Sequence, residues 1–297
     1  MRRVRRKESI EKRETDLFSI LPLDLIVEIL LRTPAKSTAS LVLVSKQWLS
    51  ILRGKKFTNL YVARSSTRKR LLSAVFDTYL KQIFLLSCSQ EDPSSSDHRM
   101  VKITDQPSHR YYFSAPVRGL ICRQIDSKVM MGKHPHLISS YITKQICING
   151  VVYYYAWVTQ EISLISFDLI SEEFNVIKLP EDIPVLVKYT GKVALASWSE
   201  NKLDVWVLED AKKQEWSKVS IVLPFTINLV FVFRGTLSTG ELIFSPFRFV
   251  RHCHFISYDL KENKAEKVVV KGNGDHFPKH ELYFDHVESP MFLPNVS

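Results

Sequence analysis

The hydrophobic period of this chain changes once along its 297 residues, and that change restricts the folds open to it. Leu25, Ile26, Ile29 and Leu30 recur at helical spacing between Pro22 and Pro34, which makes one apolar stripe on a helix. Pro22 suits the first turn, Asp24 complements the helix's positive end, and Pro34 stops it. From Ile146 onward the apolar positions alternate with polar ones, the period of strands. The expected fold class is therefore α+β and multidomain: a short N-terminal module of three helices, then a mainly antiparallel β domain.

Beyond Pro34, Ser37 or Thr38 can cap a second short helix carrying Leu41, Leu43 and Val44. Ser45 can cap a third carrying Trp48, Leu49, Ile51 and Leu52. A unit near or below ~40 residues cannot bury so many large apolar side chains alone. Part of that surface is expected to meet a partner. The chain divides into a basic, disordered tail (1–16), the helical module (17–60), a connecting segment with the first strands (61–109) and the β domain (110–297).

In the β domain, Ile146 to Tyr154 is two β-prone runs around Asn149-Gly150, a strong hairpin signal. Val185 to Leu195 and Leu237 to Phe244 read the same way. A unit of apolar strand, charged turn and apolar strand recurs at Ile165–Leu169 with Phe174–Pro180, at Leu203–Leu208 with Trp216–Val219, and at Phe255–Leu260 with Lys267–Val270. Repeats some 40 to 50 residues apart mark β-propeller blades. The aromatics, including Tyr153-Tyr154-Tyr155, Trp157, Trp198, Trp206 and Trp216, read as strand core.

Nine glycines leave no Gly-rich phosphate loop, and no hydrolase or zinc-protease motif occurs. The pairs His134/His136 and His252/His254 lack a third ligand, so neither metal nor cofactor is expected. Cys88, Cys122, Cys147 and Cys253 are dispersed and read as small buried hydrophobes, not disulfides. No apolar run approaches the ~20 residues that cross a bilayer, so no membrane partner is expected. Residues 1 to 70 hold 17 Lys and Arg against 6 Asp and Glu, whereas residues 71 to 297 hold 24 against 25. That excess suits a solvated tail, a nuclear import signal or an acidic protein partner. Nucleic acid is disfavoured because no basic stripe continues into the β domain. The compartment expected is nucleus or cytoplasm, with Arg2 to Lys7 leaning toward the nucleus.

The order Leu21-Pro22-x-Asp24-Leu25-x-x-Glu28-Ile29-Leu30-x-Arg32-x-Pro34, followed by Val44-Ser45-Lys46-x-Trp48, resembles the F-box, which binds Skp-type adaptors of cullin ubiquitin ligases. Thr33 and the Ser40-Leu41 pair depart from the usual pattern. The Ile-Cys-Ile-Asn-Gly-Val run, Trp206 to Asp210 with Trp216-Ser217-Lys218, and Phe284 to Glu288 resemble the plant F-box-associated domain, a kelch-like propeller. The resemblance implies a non-enzymatic substrate receptor. Leu21, Pro22, Leu25, Ile26, Ile29, Leu30 and Pro34 would face the adaptor, while Val44, Trp48 and Ile51 would form the module's core. A cullin would join through the adaptor, and an unidentified target protein would bind the β domain. Only 23 residues separate Cys122 from Ile146, where family members carry further strands. The propeller is therefore expected to be incomplete and open, with residues 123 to 140 irregular. The alternatives are a degenerate F-box protein that keeps the adaptor but not the target, and a basic nuclear or nucleic-acid-associated protein.

Overall fold

The computed structural model describes residues 21–77, 82–94, 99–103, 111–113, 123–125, 136–138, 145–181, 184–226, 231–246, 253–271 and 279–289. The basic tail, Cys122, His134 and His252 lie outside the described residues. The chain forms two compact units, a helical one ending at Arg64 and a β unit spanning 65–289.

The helical unit contains α1 (Leu23–Arg32), α2 (Ala35–Ser40), a 3-10 turn (Leu41–Leu43), α3 (Lys46–Arg53) and α4 (Lys55–Ser65). Pro22 and Pro34 occupy the N-cap positions of α1 and α2, where a fixed φ near −60° and a missing N–H cost nothing. Ser45 caps α3 by accepting the Trp48 amide at 3.2 Å. Gly54 ends α3, and α4 follows at once. The fourth helix was not expected from the sequence; its buried residues, Phe57 and Tyr61, are one turn apart. They complete a core with Ile26, Leu30, Trp48 and Leu52.

Within the β unit, β1 (Arg70–Asp77), β2 (Gln82–Ser89) and β3 (Arg99–Ile103) run as a meander. Next come the pair β4 (Tyr111–Phe113) and β5 (Arg123–Ile125). A third sheet holds β8 (Val151–Val158), β9 (Glu161–Asp168) and β10 (Phe174–Ile177), with β6 (His136–Ile138) and β7 (Ile146–Ile148) sharing one edge of β8. Two further meanders follow: β11 (Val185–Tyr189), β12 (Lys192–Ser199), β13 (Lys202–Asp210) and β14 (Glu215–Val222), then β15 (Phe231–Thr236), β16 (Leu242–Pro246), β17 (His254–Asp259) and β18 (Lys264–Val269). The last strand, β19 (Lys279–His286), returns to pair antiparallel with β1.

The first strands thus belong to the β unit, which begins at residue 65, not at 110 as the sequence suggested. Residues 123 to 140 are not wholly irregular either, since they contain β5 and β6. The proline expected to disfavour a central strand, Pro135, lies outside the described residues, and β6 itself takes a sheet edge. The expectation of an open array fails at one joint, because β19 and β1 place the two ends of the β unit in one sheet. The β4–β5 pair has two strands among the described residues, against four in the meanders that follow β10.

Sheet faces pack through apolar layers. Tyr155, Leu164 and Ile177 meet Leu186, Leu195 and Trp206, and Ala194, Ala196 and Leu203 meet Phe233, Leu242 and Phe244. Leu71 and Cys88 meet Ile243, Cys253 and Phe255. Cys88 and Cys253 are buried and Cys147 half-buried, all as free thiols. Tyr154, Tyr155 and Trp206 are core, whereas Trp157 is on the surface.

The anticipated hairpins form. Asn149 and Gly150 both take positive φ between β7 and β8, as do Thr190 and Gly191 between β11 and β12. The three recurrent units close alike. Asp168, Asp210 and Asp259 each accept two backbone amides of the following turn, and Glu172, Gln214 and Asn263, four residues later, are left-handed. These amides hold the Asp168 and Asp210 carboxyls below their ordinary range.

Candidate functional site

The strongest candidate surface lies on the helical unit, where α1 presents two different apolar faces. Consecutive helical residues are about 100° apart, so neighbours in sequence point in different directions. Ile26 and Leu30 are wholly buried, whereas Leu25 and Ile29 are 49% and 44% exposed. The expectation that Ile26 and Leu30 meet an adaptor is thereby corrected: they fill the unit's own core, leaving Leu25 and Ile29, one turn apart, as the outward pair.

Leu23 is exposed beside them in sequence. Pro22 is exposed, Leu21 is half-buried against the core, and Pro34 is half-buried ahead of α2. Of the three residues read as core, Trp48 is buried and Ile51 packs partly against the cluster. Val44 is corrected: it follows the 3-10 turn and is 39% exposed, next to Leu43, the most exposed leucine on the unit at 88%. A 3-10 turn where a helix was expected rotates Leu43 and Val44 away from the core.

Polar contacts fix the relation of α4 to α1. The Tyr61 hydroxyl donates to the Thr33 carbonyl at 2.8 Å, occupying a carbonyl left free where α1 ends. Glu28 accepts from Arg32 Nε at 2.8 Å and from Arg64 Nη1 at 3.0 Å. The Arg32 and Arg64 hydrogen bonds hold the Glu28 carboxyl below its ordinary range. Phe57 and Tyr61 were missed because the apolar residues of α4, which also include Leu60, Val62 and Ala63, are spread around the helix and give little periodic signal. Their one-turn spacing after Gly54 was the available clue.

No group of three or more His, Cys, Asp or Glu among the described residues could hold a metal ion. His254 is half-buried and stacks edge-on to Phe231 at 6.0 Å. A cavity of about 340 Å³ is lined by Phe225, Phe231, Phe244 and Ile256 together with Glu266 and Lys267. Among the described residues no helix is long and apolar enough to cross a membrane.

The F-box domain pattern matches residues 18–60, and that of the F-box associated beta propeller domain matches 126–291. An F-box/kelch-repeat protein of Arabidopsis thaliana is 37% identical over 389 aligned positions, covering 98% of both chains. An F-box protein of the same plant is 30% identical, covering 92% of this chain and 81% of its own. Another is 27% identical, covering 99% and 95%. The exposed α1 face therefore sits within the F-box and the meanders from β6 onward within the propeller domain. The chain is a member of the F-box protein family, a non-catalytic adaptor family, of the branch that carries an F-box associated β-propeller domain.

Proposed function

We propose that this protein is the substrate-receptor subunit of a Skp-cullin-F-box ubiquitin ligase. The observation that carries the reading is the outward apolar set Leu23, Leu25, Ile29, Leu43 and Val44 on a unit whose core is already filled by other residues. Exposed leucines that folding does not need mark a contact surface. The Skp-type adaptor would cover them, with Leu21, Pro22 and Pro34 at the margin. A cullin would join through the adaptor, and the β unit would hold the target protein. The contribution to ubiquitin transfer is proximity, which raises the effective concentration of target lysines without any chemistry by this chain. The site of action proposed is the nucleus or the cytoplasm.

Co-purification of the full chain from plant cells tests this. The adaptor and cullin should both be recovered with the wild type, and neither after deletion of residues 21–53. Recovery of neither with the wild type contradicts the proposal.

A second reading, adaptor binding without target recognition, is favoured by one observation. The alignment with the F-box/kelch-repeat relative runs 389 positions against 297 residues here, so the relative has many positions without a counterpart. Propeller blades are that kind of unit, each about 40 to 50 residues. Proximity labelling under proteasome inhibition separates the two readings, because a receptor enriches ubiquitinated neighbours and an adaptor-only protein does not.

A further inference from the structure

Between Glu28 and Asp77 the chain carries ten Lys and Arg and no Asp or Glu. Some of these cations have partners. Arg32 and Arg64 pair with Glu28, Lys69 with Asp285, and Arg70 with Glu288. Lys46, Arg53, Lys55 and Lys56 are exposed and pair with no carboxylate among the described residues.

These four form one rim. Lys46 and Arg53 are seven residues apart, almost two helical turns, so they share the solvent face of α3 with Gln47 and Ser50. Only Gly54 separates Arg53 from Lys55 and Lys56 in the first turn of α4. Folding does not account for their placement. Lys46 opens α3, and Lys55 and Lys56 open α4, where the positive end of the helix dipole disfavours cations. At its other end the rim meets the apolar contact surface, because Leu43 and Val44 lie only two and one residues before Ser45-Lys46.

We propose that Lys46, Arg53, Lys55 and Lys56 form a steering rim for an acidic strip on the Skp-type adaptor, so that the exposed leucines supply affinity and the rim supplies association rate. The inference rests on the adaptor-docking reading above. Charge complementarity identifies the occupant: four unopposed cations beside an apolar patch call for a partner that is acidic beside its own apolar groove. The chain's own N-terminal tail does not suit, because residues 1–16 hold seven Lys and Arg against four Asp and Glu and would be repelled. Rim charges of this kind act on encounter, whereas buried apolar contacts govern dissociation.

The test uses the full chain and a purified Skp-type adaptor, with association and dissociation followed at about 20 mM and about 1 M salt. The variant K46Q/R53Q/K55Q/K56Q should associate roughly tenfold more slowly at low salt and equally fast at high salt, with dissociation unchanged. The conservative variant K46R/K55R/K56R should match wild type at both, which shows that charge and not fold is being read. Equal association rates and salt slopes for the glutamine variant and wild type overturn the proposal. So does a change confined to dissociation. Wild-type protein that binds no adaptor at all sinks the docking reading itself, a separate outcome. A labelled RNA or DNA duplex is the remaining arm: loss of its binding in the glutamine variant, with adaptor kinetics unaltered, would overturn the proposal and assign the rim to nucleic acid.

Discussion

A rotation of 100° about α1 separates residues that hold the helical unit together from residues free to bind. Leu30 and Ile26 are wholly buried, so Leu30→Ala or Ile26→Ala should destabilise the unit by about 2 to 5 kcal/mol. Loss of protected amides in residues 23–65 by hydrogen exchange checks this, and native-like protection would contradict it. In the β unit, burial pushes the His286 imidazole down to about 4 from its ordinary 6.5, with Glu288 opposing and Arg70 adding to the shift. A folded pKa below the unfolded one means that the unfolded chain takes up the proton first as pH falls. Stability is therefore complete above about pH 6.5 and is lost as pH drops toward 4, with about 2 kcal/mol gone by pH 5. The Asp285 carboxyl is held below its ordinary 3.8, so its own loss begins under that window. Melting the β unit at pH 7 and pH 5 should show this fall in wild type and a flatter response in His286→Gln; equal slopes would contradict it.

Among the elements, those closed by local chemistry were the legible ones. Asn149-Gly150 and Thr190-Gly191 announce their hairpins because glycine permits the left-handed turn. The turn between β8 and β9 uses Thr159 and Gln160 at positive φ, with no glycine or asparagine to betray it. The Asp at the head of each outer hairpin, with a left-handed residue four positions on, was in the sequence but hidden in three unlike residues, Glu172, Gln214 and Asn263. The pairing of β1 with β19 left no local mark, because register across about 200 residues is set by tertiary packing, and that of β6 with β8 left none because β7 stands between them in sequence and pairs with the same strand. The division of α1 into inward and outward leucines was missed for a related reason. A stripe of four apolar residues is wider than one contact, and only the positions of α3 and α4 decide which half is covered. Truncating Trp48, 4% exposed and capped at its amide by Ser45, removes the centre of that packing. Trp48→Ala should cost about 3 to 5 kcal/mol and unfold the helices while the β unit melts as in wild type. Two unchanged melting transitions would show that Trp48 is not the centre of that packing.

Taken whole, the β unit is joined where its inner strands and its two ends converge. β11 and β15 meet in a parallel bridge at Lys188 and Gly235, and a Cβ on Gly235 would lie 2.3 Å from the Lys188 carbonyl oxygen. Gly235 also has φ 109°, so Gly235→Ala should destabilise the unit by about 3 kcal/mol, read as a lowered midpoint in chemical unfolding. An unchanged midpoint would show that the two strands can part there without cost. Nearby, Asp285 accepts from Gln90 Nε2 at 3.1 Å and Ser238 Oγ at 3.1 Å and pairs with Lys188 at 3.3 Å, joining β19 to the end of β2, to β11 and to the turn after β15. Target recognition would rest on this joined array, and adaptor capture on the helical unit. In the proposed complex the outward Leu25 and Ile29 of α1, and not the inward Ile26 and Leu30, bind the adaptor. Titrating the full chain with a Skp-type adaptor by calorimetry tests it most directly. The double variant Leu25→Asp/Ile29→Asp should weaken binding at least about a hundredfold, as loss of a central apolar anchor pair does, while both units melt as in wild type. Wild-type affinity in that folded variant would contradict the account.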